Sequence, residues 1–259
     1  MVDTEFKSAK AESSSGRQMV HNIAKGRKLK FSESAASPIV SIFVGNRRTF
    51  LLHSGLLNGE SEKLYNSLKG DFMEAESWKI NLPDEDPELF GYFIEYLYRD
   101  CSLLSRNVAN YSEYITVARL YALGERLSAV KFQSIALWRF TASLNGNSKI
   151  PELSLCDLLE IACTTITARV TEDPMRAQIF WYASSRISQL QEFDMFRQLL
   201  KELSELGACL CMWLNRQQPA KPAEPSQVQQ TRFEPESEYG LEGSEETQEI
   251  TWTRETKDT

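Results

Sequence analysis

Apolar positions in the first half of the chain alternate between two periods. Ile39-Val40-Ser41-Ile42-Phe43-Val44 is dominated by β-branched and aromatic residues and predicts a largely buried strand. Gly45-Asn46 predicts a turn, and Thr49-Phe50-Leu51-Leu52 predicts the returning strand of a hairpin. Trp78, Ile80 and Leu82 alternate with Ser77, Lys79 and Asn81, which predicts a third strand with one apolar face. Between them, Ser54 to Lys69 predicts a helix with Leu56, Leu57, Leu64, Tyr65 and Leu68 turned inward.

Helical periods dominate from residue 86 onward. Asp86-Pro87 predicts a helix start: the carboxylate caps free amides, and proline at the first position has no amide to leave unpaired. Phe90, Phe93, Ile94 and Leu97 follow on one face. Further helices are predicted over Tyr111–Arg126, with Tyr114, Ile115, Ala118, Tyr121 and Ala122 as the stripe, and over Ala129–Ser143. After Asn145-Gly146-Asn147 three more are expected. Ser154-Leu155-Cys156-Asp157 resembles a capping box, with Leu158, Leu159, Ala162 and Ile166 lining that helix. Asp173-Pro174 repeats the cap-plus-proline start before Ile179, Tyr182, Ala183 and Ile187. A single long helix is expected over Asp194–Leu214, its stripe running from Phe196 to Trp213.

The two ends break this pattern. Residues 1–36 are rich in Ser, Lys and Glu without periodicity and read as a disordered arm, with His21 and the basic cluster Lys25–Lys30 in it. Residues 216–259 are rich in Gln, Pro, Glu and Thr and read as a disordered acidic tail; 231–249 hold one Arg and seven Glu. Of the 259 residues 42% are hydrophobic, enough for a filled core, and the net charge of -7 speaks against a general nucleic-acid binder. No apolar run suits a membrane span, and Met1–Lys30 does not read as a secretory signal. Five cysteines, at 101, 156, 163, 209 and 211, suit reduced thiols in an intracellular protein of the cytoplasm or nucleus, and Asn110-Tyr111-Ser112 reads as an unused glycosylation match.

Reactive constellations are scarce in the sequence. The histidines are His21 and His53, and there is no phosphate loop, nucleophile elbow or Cys-x-x-Cys pair. Asp84-Glu85-Asp86 reads as a helix cap rather than an acid–base pair. Cys209 and Cys211 are expected on different sides of a helix. The expectation is a non-enzymatic chain with no catalytic residue, no cofactor and no metal.

One resemblance organises these pieces. The hairpin running into Leu52-His53, a small-residue turn and Leu56-Leu57 come first. Phe72-x-Glu74 follows before the third strand, then Leu82-Pro83-Asp84-Glu85-Asp86-Pro87-x-x-Phe90 with Tyr96-Leu97-Tyr98. In that order and spacing they resemble the BTB/POZ domain, over about residues 37–144. The Ser37-Pro38 opening, the helical extension and the polar tails are most similar to BTB proteins of filamentous fungi. The resemblance implies an α+β fold: a small sheet flanked by helices (37–144), then an all-α, BACK-like extension (145–215). It implies structural roles for His53, Leu56, Leu57, Pro87, Phe90, Tyr96 and Tyr98, with the His53 ring buried at the end of the hairpin and bonded to backbone. It also implies protein partners. In BTB adaptors of ubiquitin ligases an apolar-x-Glu in the loop before the third strand contacts the cullin, which makes Phe72 and Glu74 the candidate partner-binding residues: an aromatic anchor with a carboxylate to orient it. A homodimeric scaffold or transcription-linked regulator with no cullin role is the alternative. No nucleic-acid or membrane partner is expected, and no kelch, MATH or zinc-finger region is present to capture a substrate.

Overall fold

The computed structural model describes residues 31–69, 73–99, 110–145, 149–169, 172–220 and 222. His21, the basic cluster Lys25–Lys30, Phe72, Cys101, the Gly146-Asn147 turn and the acidic segment 231–249 lie outside them. The described residues form an α+β structure: one three-stranded sheet and a larger number of helices.

Strands β1 (Ile39–Val44) and β2 (Arg48–His53) make the expected antiparallel hairpin, Ile42 opposite Phe50 and Val40 opposite Leu52. Gly45 and Asn46 both take positive φ, 60° and 55°, which tightens the turn. A side chain at 45 would also strike its neighbours: a Cβ there stands 2.9 Å from the Glu85 carbonyl and 3.0 Å from Pro87 Cδ. Strand β3 (Lys79–Leu82) lies parallel to β1 on its other side, giving the order β2-β1-β3. A parallel partner needs a crossover, and three short helices supply it. These are α2 (Ser54–Leu57), α3 (Glu62–Ser67) and α4 (Met73–Ser77).

Before the sheet, α1 (Phe31–Ala35) is helical, although the arm was expected to lack structure through residue 36. Burial explains it: Ser34 and Ser37 are buried, and the Ser37 hydroxyl donates to the Ser34 carbonyl at 2.6 Å while accepting the Gly55 amide at 2.7 Å. Likewise the helix expected over Ser54–Lys69 is two helices. Gly59, at φ 75°, ends the first, and Ser61 caps the second through the Leu64 amide. Its hydroxyl also donates to the Leu127 carbonyl at 2.7 Å, a contact that a continuous helix would forbid.

Helix α5 (Pro87–Arg99) starts as predicted, with Asp86 Oδ1 accepting the Glu88 amide at 2.8 Å. Its buried face carries an aromatic seam out of the sheet: Phe50 to Phe90 at 5.4 Å, Phe90 to Phe93 at 5.8 Å, and Phe93 to Phe132 at 5.3 Å between ring centroids. Asn110 is the cap of α6 (Tyr111–Arg126), accepting the Glu113 amide at 3.1 Å. Helix α7 (Val130–Asn145) packs back on it, close at Gly124, where a Cβ would stand 2.9 Å from that of Gln133.

Helix α8 starts at Glu152 (Glu152–Thr164), two residues before the expected Ser154, because the Pro151 carbonyl already accepts the Leu155 amide. Helix α9 (Pro174–Ser184) is buried nearly all round, followed by the short α10 (Ile187–Leu190). The single helix expected over Asp194–Leu214 is instead α11 (Asp194–Glu202) and α12 (Leu206–Trp213), with Leu203 extended between them. The break lets α11 pack on α8 and α12 on α9, which one straight rod could not do. The buried apolar residues form one cluster from Val40 to Trp213, so the core passes through the expected boundary at 144/145. The reason is that α6 packs against both α7 and α8.

One carboxylate joins the two ends of this core. Buried Asp173 accepts the amides of Met175 at 2.9 Å and Arg176 at 3.1 Å, and its other oxygen accepts the Tyr121 hydroxyl at 2.7 Å. Asp173→Ala removes a cap and leaves a buried phenol unpaired, and should cost about 2–4 kcal/mol in urea unfolding. Tyr121→Phe keeps the cap and should cost less, about 1–2 kcal/mol. Equal losses in the two variants would contradict this division of roles.

Candidate functional site

The positions singled out by resemblance fall at the junction of β2 and α5. His53 ends β2, and Tyr98 reaches it from the last turn of α5, with ring centroids 6.1 Å apart and edge-on. The Tyr98 hydroxyl stands 3.4 Å from the His53 amide and 2.9 Å from its Nδ1. The amide can only donate, so the hydroxyl oxygen accepts from it, and the contact between the hydroxyl and Nδ1 runs in the direction that the ring tautomer sets. The expected backbone partners for the ring are thus replaced by a side chain, and the residue is half-buried rather than buried. A strand terminus beside a helix end offers the ring few free carbonyls but a well-placed phenol.

The other positions singled out by resemblance lie in or beside the core. Leu56, Leu57 and Phe90 are buried, and Pro87 opens α5 against the Gly45 turn. Tyr96 donates a hydroxyl to Glu60 Oε2, while Lys131 Nζ meets Glu60 Oε1 at 2.6 Å. This bridge connects the α2–α3 loop, α5 and α7, and no local spacing announces it.

Of the candidate partner-binding pair, Glu74 is half-buried in the first turn of α4. The segment expected as a loop is helical from Met73. Beside Glu74, Met73 is 81% exposed. The helix closes with the Ser77 hydroxyl donating to the Met73 carbonyl at 2.8 Å. Trp78, expected within β3, lies outside it with φ 53°, a left-handed conformation rare for so bulky a residue. Its carbonyl still accepts the Ser41 amide at 2.9 Å, so this turn hands α4 directly to the sheet.

Ionisable side chains elsewhere are engaged in holding elements together. Buried Glu85 receives a forked grip from Arg126, at 2.9 Å from Nε and 2.8 Å from Nη2, fastening the β3–α5 loop to the end of α6. The expectation that the 84–86 acids cap a helix fits Asp86; Glu85 has this other task. Buried Arg176 donates to the Ala162 carbonyl at 2.7 Å and approaches Glu205 at 3.3 Å, satisfying the end of α8.

Cys156 is buried, Cys163 and Cys209 half-buried and Cys211 exposed, so 209 and 211 do point to different sides. Burial, then Asp157 and Glu152 nearby, pushes the Cys156 thiol up to about 11. Burial and then Glu205 push Cys163 up to about 12. At neutral pH both are protonated and poorly nucleophilic. Among the described residues no three His, Cys, Asp or Glu side chains converge to hold a metal ion, and no helix is long and apolar enough to cross a membrane.

No family model matches the chain, and no curated protein matches it.

The raised thiols set an alkaline limit to stability. Each ordinary value is 9.0, so the fold holds these protons more tightly than the unfolded chain does. Their contribution is complete below pH 9 and is lost as pH rises through 11 for Cys156 and 12 for Cys163. The urea midpoint should therefore fall between pH 9 and 11, and fall less steeply in Cys163→Ala. An unchanged slope in that variant would show that its thiol is not a contributor.

Proposed function

We propose that this chain is a non-enzymatic protein-interaction module of BTB/POZ type, acting as a substrate adaptor of a cullin-RING ubiquitin ligase. The observation that carries the reading is α4. A single-turn helix immediately before β3 holds the half-buried carboxylate of Glu74 beside the exposed side chain of Met73. An exposed apolar group next to a carboxylate suits an anchor-and-orient contact. The sheet order β2-β1-β3 with a helical crossover also supports it, being compatible with the small sheet flanked by helices that the resemblance implies. So does the occupation of the buried acids: Asp173 and Glu85 serve as a cap and a clasp.

Calorimetry with purified cullin tests the proposal. Wild type should bind, and Phe72→Ala combined with Glu74→Ala should weaken binding at least about tenfold with unchanged thermal stability. Absent binding by wild type, or equal binding by the double variant, rejects the adaptor role.

A further inference from the structure

The sheet has a second face that the core does not use. Paired residues share a face, so the register places Ile39, Ser41, Phe43, Thr49, Leu51, His53, Lys79 and Asn81 together on the side away from the core. Strand β1 was expected to be largely buried; instead it alternates, because helices cover only one side. On the outer side Leu51 is 64% exposed, Ile39 55% and Phe43 40%. None of these eight residues is an acid, and Lys79 is a cation. At the hairpin end Arg47 stands exposed in the turn, and Arg48, paired with Val44, stands exposed on the opposite face of the edge strand, over the Phe50 ring. In a chain of net charge -7, this apolar face carries only positive charge.

The hydrogen-bond parity of the sheet shows that the adjoining edge is open. The amides of Ser41 and Gly45 donate to Trp78 and Leu82, so the odd positions of β1 address β3. The even positions therefore address β2, using Leu52, Phe50 and Arg48. It follows that Thr49, Leu51 and His53 direct their amides and carbonyls away from the sheet. At His53 the Tyr98 hydroxyl meets the amide. At Thr49 and Leu51 no partner stands there among the described residues, and no proline, lysine or bulge guards that stretch of strand.

We propose that the outer face and free edge of β2 bind an extended segment of another protein, acidic and apolar in alternation. Its backbone would pair with Thr49 and Leu51 as a fourth strand. Alternate apolar side chains would lie beside Leu51 on the outer face, and its carboxylates, which alternate to the other face, would meet Arg48 and Arg47 at the hairpin end. The site is separate from α4 and does not depend on cullin binding.

Fluorescence anisotropy of the full chain with a fluorescein-labelled acetyl-Glu-Val-Glu-Ile-Glu-Val-Glu amide tests this, with the peptide bearing Lys for Glu as control. The acidic peptide should bind saturably and the basic one at least about tenfold more weakly. Leu51→Glu should weaken binding by at least about tenfold. Thr49→Pro removes an outward amide while sparing the ladder to β1, and should also weaken it, by about fivefold or more. Both variants lie on the exposed side, and circular dichroism should show them folded. The proposal is overturned if neither peptide binds, if both bind alike, or if the two folded variants bind as wild type does. A concentration-dependent dimer abolished by Leu51→Glu would also overturn it, since the occupant would then be a second copy.

Discussion

Strand β1 is the constraint around which the first half of the molecule is arranged. It is the one strand bonded on both sides, antiparallel to β2 and parallel to β3. Its even residues bond to β2 and bury Val40, Ile42 and Val44; its odd residues bond to β3 and face outward. Strand β2 returns the chain to the end where β1 begins, and β3 starts from that end on the other side of β1, so α2, α3 and α4 carry the chain across. The Gly45 turn, pressed against Pro87, then sets where α5 begins. Once α5 is placed, Phe90 and Phe93 carry the core outward to Phe132 in α7.

The second half is governed differently. Its helices are short, and one of them, α9, is surrounded on nearly all sides. Apolar packing alone would leave such an arrangement free to slide, since hydrophobic contact is not directional. A few buried polar ties remove that freedom. Asp173 addresses α9 and α6 at once, and Arg176 closes the end of α8. Buried groups of this kind are costly when half-satisfied, so each strongly favours the one geometry that satisfies it.

These two regimes bear on function in the same direction. Buried Glu85, Asp173 and Arg176 already have structural partners, and the thiols of Cys156 and Cys163 are held protonated. Among the exposed apolar side chains are Met73 on α4, beside half-buried Glu74, and Leu51, Ile39 and Phe43 on the sheet. The two lie on different elements.

Much of this was legible in the sequence, for local reasons. The hairpin, the third strand, the helix over Tyr111–Arg126 and the starts at Asp86-Pro87 and Asp173-Pro174 follow from side-chain period and capping chemistry, which act within four residues. The order of short motifs singled out Glu74, His53 and Tyr98 one by one, without showing that His53 and Tyr98 meet. The tertiary structure decided what local chemistry leaves open. It broke the 54–69 and 194–214 helices, because Ser61 and the α11–α12 pair had distant partners to meet. It turned β1 half outward, because helices cover one face only. It chose a phenol for His53, an arginine for Glu85 and a lysine for Glu60, pairs 40 to 70 positions apart in sequence, to round numbers. Period and propensity are properties of a few neighbouring residues, whereas which face is covered and which charge is answered depend on where the rest of the chain arrives.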